Sequence, residues 1–341
     1  MAQHRILFID RLRGLALVLM ILNHSALYLL EASLDPYRHI LVYLTVSLSA
    51  PLFLFMVGFS LAISHMKNTA MTIRPYHVDL QKHFDRGVLL ILLGFMLNIV
   101  LSPHKPFYAG GILQTIGISI IIIAPMLRWL THRVFRDILV LSAVISYLAF
   151  AYSQANVMRM IIDHPIIADL FFGGFPPWPW IGVVFIGLVS GHNWLALRDE
   201  AGKVDQYLLR MVIASIISLT LYFILSAWQG DMLNFNLNRD YIIRGHWLPG
   251  TITVFWSIGI ICLSFVVTQR TAIKPGILHR LLVPLGQSAL LLYLLHLLVI
   301  KGIADQLLGL TIDNWWSYIG FNLILMTGLV TVSYRWVKIQ S

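Results

Sequence analysis

An all-α bundle of about ten membrane-crossing helices, with both termini on the cytoplasmic side, is the architecture this sequence predicts, and three observations predict it. Hydrophobic residues make up 58% of the 341 and charged residues only 11%, with a mean hydropathy of +0.80, a balance that no water-facing surface accommodates. The apolar residues gather into runs, and a helix needs roughly 17–25 such residues to cross a hydrocarbon core. Lys and Arg fall mostly in alternate connections between those runs, the pattern of a multi-pass chain whose basic loops stay in the cytoplasm.

In chain order the runs cover about 13–31, 40–63, 87–101, 110–127, 137–152, 179–196, 210–228, 250–268, 284–303 and 316–335. The first follows three basic residues, and no small-residue cleavage site ends it, so a retained helix is expected in place of a removed signal peptide. The third begins after "KHFDRG" and, like the fourth and fifth, is short for a span. The sixth opens on "FPPWPW", where Pro suits a helix start and Trp a membrane interface.

With the N-terminus inside, 18 Lys and Arg residues lie on the cytoplasmic side and six, Arg38, Lys105, Arg159, Arg239, Arg244 and Lys301, on the other. That imbalance orients the bundle. It also accounts for the formal charge of +9, and no basic run with interleaved aromatics marks a nucleic-acid partner. Cys262 is the single cysteine, which excludes an internal disulfide and a thiolate metal site. No soluble segment is long enough to fold alone, so residues 1–341 read as one transmembrane domain. The longest outer connections, about 153–178 and 229–249, are rich in aromatic residues, Asn, Gly and Pro, and no internal repeat of a transporter type stands out.

Polar groups at membrane depth carry the functional signal. Eleven helical steps separate Arg13 from His24, about 1100°, so the two share one stripe, with His24 roughly 16 Å further along the axis and near mid-membrane. Asp10 can pair with Arg13 at i,i+3. Asn98, Gln114 and His296 sit in other apolar runs. Each alone suits helix-to-helix hydrogen bonding; together they fit a polar, water-accessible cavity. A neutral imidazole there can deprotonate a hydroxyl or amine nucleophile during acyl transfer. GxSxG, HExxH, Walker and GxGxxG motifs do not occur, so hydrolase, zinc protease, ATPase and dinucleotide chemistry lack a signal, and no metal is expected.

The stretch "RILFIDRLRGLALVLMILNHSA" resembles the opening helix of membrane acyltransferases, both the acyltransferase-3 family and the heparan-α-glucosaminide N-acetyltransferase-like group. The spacing of Arg13 and His24 matches the first-helix motif of the former. "SAPLFLFMVGFSLAIS", "GILQTIGIS" and "FPPWPWIGVVFIGLVSG" resemble the latter, and "PLGQSALLLYLLHLLVI" is similar to late helices of both. The resemblance implies a ten- or eleven-helix enzyme of the cell envelope. It would take an acetyl or other acyl group from cytoplasmic acyl-CoA and deliver it to an acceptor across the membrane, often a sugar or glycan. On this reading His24 is catalytic, and Arg13, Arg86 and Lys82, with Asp10, serve the coenzyme; guanidinium binds phosphate oxygens bidentately. Arg86 also reads as a topogenic charge.

In the lysosomal relative the catalytic histidine lies in the loop after the first helix, which makes His39, in "EASLDPYRH", a rival to His24. That relative's lumenal N-terminal domain has no counterpart in this sequence, which turns the expectation from heparan towards a prokaryotic cell-envelope glycan at the inner membrane. Asn98, Gln114, Trp178, Trp180 and His296 are candidates for the acceptor side. The two tryptophans suit sugar stacking as well as an interfacial belt, and Asp163, Asp169, Asp231 and Asp240 could steer a cationic acceptor. Membrane lipid is an expected partner, and a homodimer is allowed. The rival functional class is a proton-coupled transporter or lipid or sugar flippase using the same polar groups, and a third is a scaffold in which they only join helices.

Overall fold

The computed structural model describes residues 6–35, 37–71, 75–104, 106–163, 175, 177–228, 253–271 and 276–340. They form α1 (Leu7–Leu29), α2 (Tyr37–Met71), α3 (Tyr76–Leu101), α4 (Ile112–Ile123), α5 (Arg133–Asp163) and α6 (Pro177–Leu197). Then follow α7 (Ala201–Trp228), α8 (Thr253–Thr271), α9 (Ile277–Gln287), α10 (Ala289–Leu297) and α11 (Trp315–Gln340). Nine helical segments among the described residues are long and apolar enough to cross a membrane. The expected fifth span, 137–152, lies inside α5, which is helical throughout but is not among those nine.

Several elements differ from their expected bounds for a common reason. In hydrocarbon a backbone must satisfy its own polar groups, so a helix once started runs on until water or a partner takes over. Thus α2 continues for 35 residues, about 52 Å at helical rise, well beyond a core about 30 Å thick. Likewise α3 starts at Tyr76 and not near residue 87. The expected ninth span is interrupted: α9 carries Pro284, Ser288 leaves the helical region, α10 follows, and Leu298–Leu307 is π-helical. Proline removes the amide hydrogen and crowds the carbonyl four residues earlier.

The chain packs as two compact units. One comprises the described residues within Met1–Phe53, Arg210–Leu237 and Phe255–Ser341; the other comprises those within Leu54–Leu209 and Asn238–Val254. In the first, Leu12, Ala16, Leu17, Ile21 and Leu29 of α1 are buried, and Phe8 meets the edge of Phe265 at 5.3 Å between ring centres. Small residues let α1 and α9 touch backbone to backbone: a Cβ on Gly14 would overlap the Leu282 carbonyl, and one on Gly286 would overlap that of Asp10. In the second unit two of the three family-like stretches meet, with Gly58 against the Val184 carbonyl and Gly187 against that of Phe55.

Apolar side chains on α3, α7 and α11, among them Met96, Ile216 and Ile324, are exposed. Such faces suit lipid.

Candidate active site

Three consecutive residues of α1 reach three different neighbours. Asn23 donates from Nδ2 to the Val42 carbonyl at 2.8 Å and to Thr45 Oγ1 at 3.1 Å, both on α2. Ser25 donates from Oγ to Asn322 Oδ1 at 2.8 Å on α11, where the Tyr318 hydroxyl donates back to the Leu22 carbonyl at 2.7 Å. Between them, His24 Nδ1 lies 2.8 Å from His296 Nε2 on α10. Successive helical residues point about 100° apart, so Asn23 and Ser25 fix the rotation of α1 and thereby aim His24 at α10.

The two histidine rings are 10° from parallel with centres 5.1 Å apart. That separation exceeds the 2.8 Å nitrogen–nitrogen distance by about two ring radii. The rings therefore meet edge to edge in nearly one plane, the geometry of an N–H···N hydrogen bond and not of face-to-face stacking. His296 is fully buried, and its Nδ1 lies 2.9 Å from the carbonyl oxygen of Leu292. His24 is partly exposed. Tyr28 stands one turn beyond it, 6.0 Å between ring centres, and Lys301 Nζ lies 5.1 Å from the centre of the Tyr28 ring, within cation–π range. Tyr293 meets His296 edge-on at 5.5 Å.

His24 is five residues before the end of α1 and not at the helix midpoint. The helix begins at Leu7, six residues before Arg13, with Asp10 and Arg11 already buried. Asp10 Oδ1 accepts from Arg13 Nη1 at 3.3 Å, as expected, and Asp10 Oδ2 accepts from Gln287 Nε2 at 3.4 Å. The deeper arginine is Arg11, 4% exposed, which donates to Thr271 Oγ1 at 2.8 Å on α8. Sequence alone missed this, because two basic residues on one helix carry no mark of which faces inward.

The same unit holds His39, half-exposed on α2 and 2.6 Å from Asp35 Oδ1 through its Nδ1. Arg38 beside it donates to the Ala26 and Leu27 carbonyls at 3.4 and 3.1 Å, satisfying the open end of α1.

The other unit carries Lys82 and Arg86, both exposed on α3. Between them His83 is buried with neither ring nitrogen hydrogen-bonded, and its Nε2 lies 3.6 Å from Asp79 Oδ2. His65 Nδ1 lies 3.6 Å from the same oxygen. Asn98 and Gln114 bind the loop between α3 and α4: Asn98 Nδ2 donates to the Phe107 and Ala109 carbonyls at 3.0 and 2.7 Å, and Gln114 Nε2 to Ala109 at 3.2 Å. Trp180 is buried and stacks on Phe175 with centres 4.7 Å apart, while Trp178 is 41% exposed. Asp169, Asp231 and Asp240 lie outside the described residues, as does the side chain of Asp163.

The expected site residues thus fall in two sets, with His24, His39, His296, Asp10 and Arg13 in one unit and Lys82, Arg86, Asn98, Gln114, Trp178 and Trp180 in the other. An imidazole, held by a second imidazole and partly open, is equipped for proton transfer. Exposed cationic side chains suit phosphate oxygens.

A family model described as heparan-alpha-glucosaminide N-acetyltransferase, catalytic, matches residues 5–227. A comparison with curated proteins returns no match. The matched stretch includes His24, Arg13 and Arg86 but ends before His296.

Proposed function

Because the chain belongs to the heparan-α-glucosaminide N-acetyltransferase catalytic family, we propose that it transfers an acetyl or other acyl group from acyl-CoA on the cytoplasmic side to an extracytoplasmic acceptor. The protein is a multi-pass membrane protein of an acetyltransferase family that implies an acyl donor and a sugar acceptor. The acceptor class that fits is a sugar or glycan carrying a free hydroxyl or amine, and the setting is the inner membrane of a prokaryote.

The observation that carries the reading is the His24–His296 pair, with the facing ring nitrogens 2.8 Å apart. His24 removes the proton from the acceptor oxygen or nitrogen as that atom attacks the thioester carbonyl. The carbon–sulfur bond breaks, a carbon–oxygen or carbon–nitrogen bond forms, and the proton passes to the departing thiolate. Direct transfer asks only for positioning and a base, so no acyl-histidine is invoked. Arg13, oriented by Asp10 across 3.3 Å, serves the coenzyme phosphates in its own unit, and Lys82 and Arg86, taken by themselves in the other unit, are cations of the same use. Asn98, Gln114, Trp178 and Trp180 serve the acceptor side.

Purified protein supplied with labelled acetyl-CoA and a panel of glycans tests this. Label appears in an acceptor or, without one, slowly as free acetate, and His24→Ala abolishes both. Retention of either activity in that variant removes His24 from the reaction. A transporter built on the same polar groups would leave acetyl-CoA intact in every arm.

A further inference from the structure

We propose that His296 is a positioning residue that fixes the tautomer of His24, so that the lone pair of the base sits on Nε2. The inference rests on the reading of His24 as the base, and the chain of donors and acceptors carries it. A backbone carbonyl can only accept, so the hydrogen in the 2.9 Å contact with Leu292 belongs to His296 Nδ1. A neutral His296 then has an unprotonated Nε2, which can only accept. The 2.8 Å bond between the rings therefore uses a hydrogen on His24 Nδ1. What remains on His24 is Nε2 with its lone pair, and no hydrogen bond from another described residue occupies it.

The surroundings favour a neutral His296. The ring is fully buried, and no carboxylate among the described residues is hydrogen-bonded to either histidine. An unpaired buried charge is costly, and the groups around the pair include the phenols Tyr28 and Tyr293, the ammonium of Lys301 and, acting on Tyr28, the carboxylate of Asp305, which is hydrogen-bonded to neither histidine. A charged His296 would donate from both nitrogens and force the opposite tautomer on its partner.

The arrangement also survives turnover. Once His24 Nε2 has taken a proton, Nδ1 still donates to the same acceptor, so the bond that orients the resting base also holds the cation. This is the work that an orienting carboxylate does for a catalytic histidine elsewhere, performed here by a second imidazole on α10. The edge-to-edge rings, 10° from coplanar, suit a nearly straight bond. Rotation of α1 is already set by Asn23 and Ser25, so α10 is left with one task at this point, which is to present an acceptor.

The test uses the full chain in lipid bilayers, labelled with nitrogen-15 in its histidine rings, with His24→Asn to assign the His24 signals. Nitrogen chemical shifts tell a protonated ring position from an unprotonated one. The wild type shows His24 protonated at Nδ1 and bare at Nε2. His296→Gln keeps a side-chain carbonyl in place of Nε2 and preserves that signature, whereas His296→Leu removes the acceptor and shifts His24 towards the other tautomer. In acyl transfer, His296→Leu loses about 10–100-fold in kcat with KM little changed, the size typical of a residue that orients a functional histidine, and His296→Gln recovers most of it. A wild-type His24 protonated at Nε2, or a tautomer unmoved by His296→Leu, overturns the proposal. The wild-type spectrum needs no variant to fold and no turnover: the expected tautomer in a protein that leaves acetyl-CoA untouched would overturn the acyltransferase reading and leave the tautomer assignment standing.

Discussion

Gly286 on α9 lies directly against the backbone of Asp10 on α1, so close that a Cβ would overlap the Asp10 carbonyl oxygen. Four residues earlier on α9, Leu282 meets Gly14 in the same way. The crossing that carries Asp10, Arg13 and His24 thus depends on two missing methyl groups.

Gly286→Ala is therefore expected to destabilise the protein by about 1–3 kcal/mol, the usual cost of forcing volume into a packed contact. Cys262, the one cysteine and a buried one, supplies the reporter. Its reaction with a fluorogenic maleimide on heating marks unfolding, and the variant reacts at a lower temperature than wild type. Gly202→Ala, where nothing lies within 4 Å of the added carbon, leaves the curve in place.

Ser25 and Asn322 form one buried link between α1 and α11, 2.8 Å long. Ser25→Ala leaves the Asn322 oxygen without that donor, at an expected cost of about 1–3 kcal/mol. Transfer should fall as well, because the rotation that aims His24 loosens. Thermal unfolding and initial rates on the same preparation check both effects.

His39 and His24 are to be separated by activity. His39 is half-exposed, with its Nδ1 beside Asp35 at 2.6 Å, while His24 is joined to a second buried ring. His39→Ala is expected to keep transfer within about tenfold, whereas loss of a general base costs about 100-fold or more. Rates measured side by side with labelled acetyl-CoA decide between them, and the reverse ranking would move the base to α2.

Arg11 is nearly buried, yet its Nε has no hydrogen-bond partner. Its main partner, Thr271 Oγ1, also donates to the Val267 carbonyl at 2.7 Å and so keeps a bond when the arginine is removed. Arg11→Met is expected to change stability by less than about 1 kcal/mol in either direction, since apolar replacements of buried charges are often neutral. A large drop in melting temperature would assign Arg11 a structural weight that its hydrogen bonds do not indicate.

The helical bundle and its membrane setting were legible in the sequence because hydropathy is a property of each run by itself. The ends were not. Polar turns such as those holding Asp79 and His83 stay helical beyond the apolar run, which lengthens α3 by a further eleven residues at its start. The break at Ser288 follows Pro284, a local signal that a reading by hydropathy passes over. His24 and His296 each stood out as a polar ring in an apolar run. Their hydrogen bond did not, since 272 positions separate them and nothing in a short window encodes a distant partner. Asn98 and Gln114 looked alike by composition, yet both bind backbone carbonyls of the loop next to them. That depends on loop conformation and not on residue type.

The π-helical stretch Leu298–Leu307 starts two residues after His296. Its hydrogen bonds reach the fifth residue and not the fourth, so each turn takes up more residues than an α-helical turn. Counting five from His296 arrives at Lys301, the residue poised over Tyr28. Ordinary winding would carry that ammonium roughly 140° around the axis and away from the aromatic ring. The wider winding acts as a spacer washer: inserting a single amino acid between His296 and Lys301 would retain every functional group while swinging the cation out of line. Length here matters as much as identity, and a one-residue insertion should do more damage than exchanging Val299 for another aliphatic.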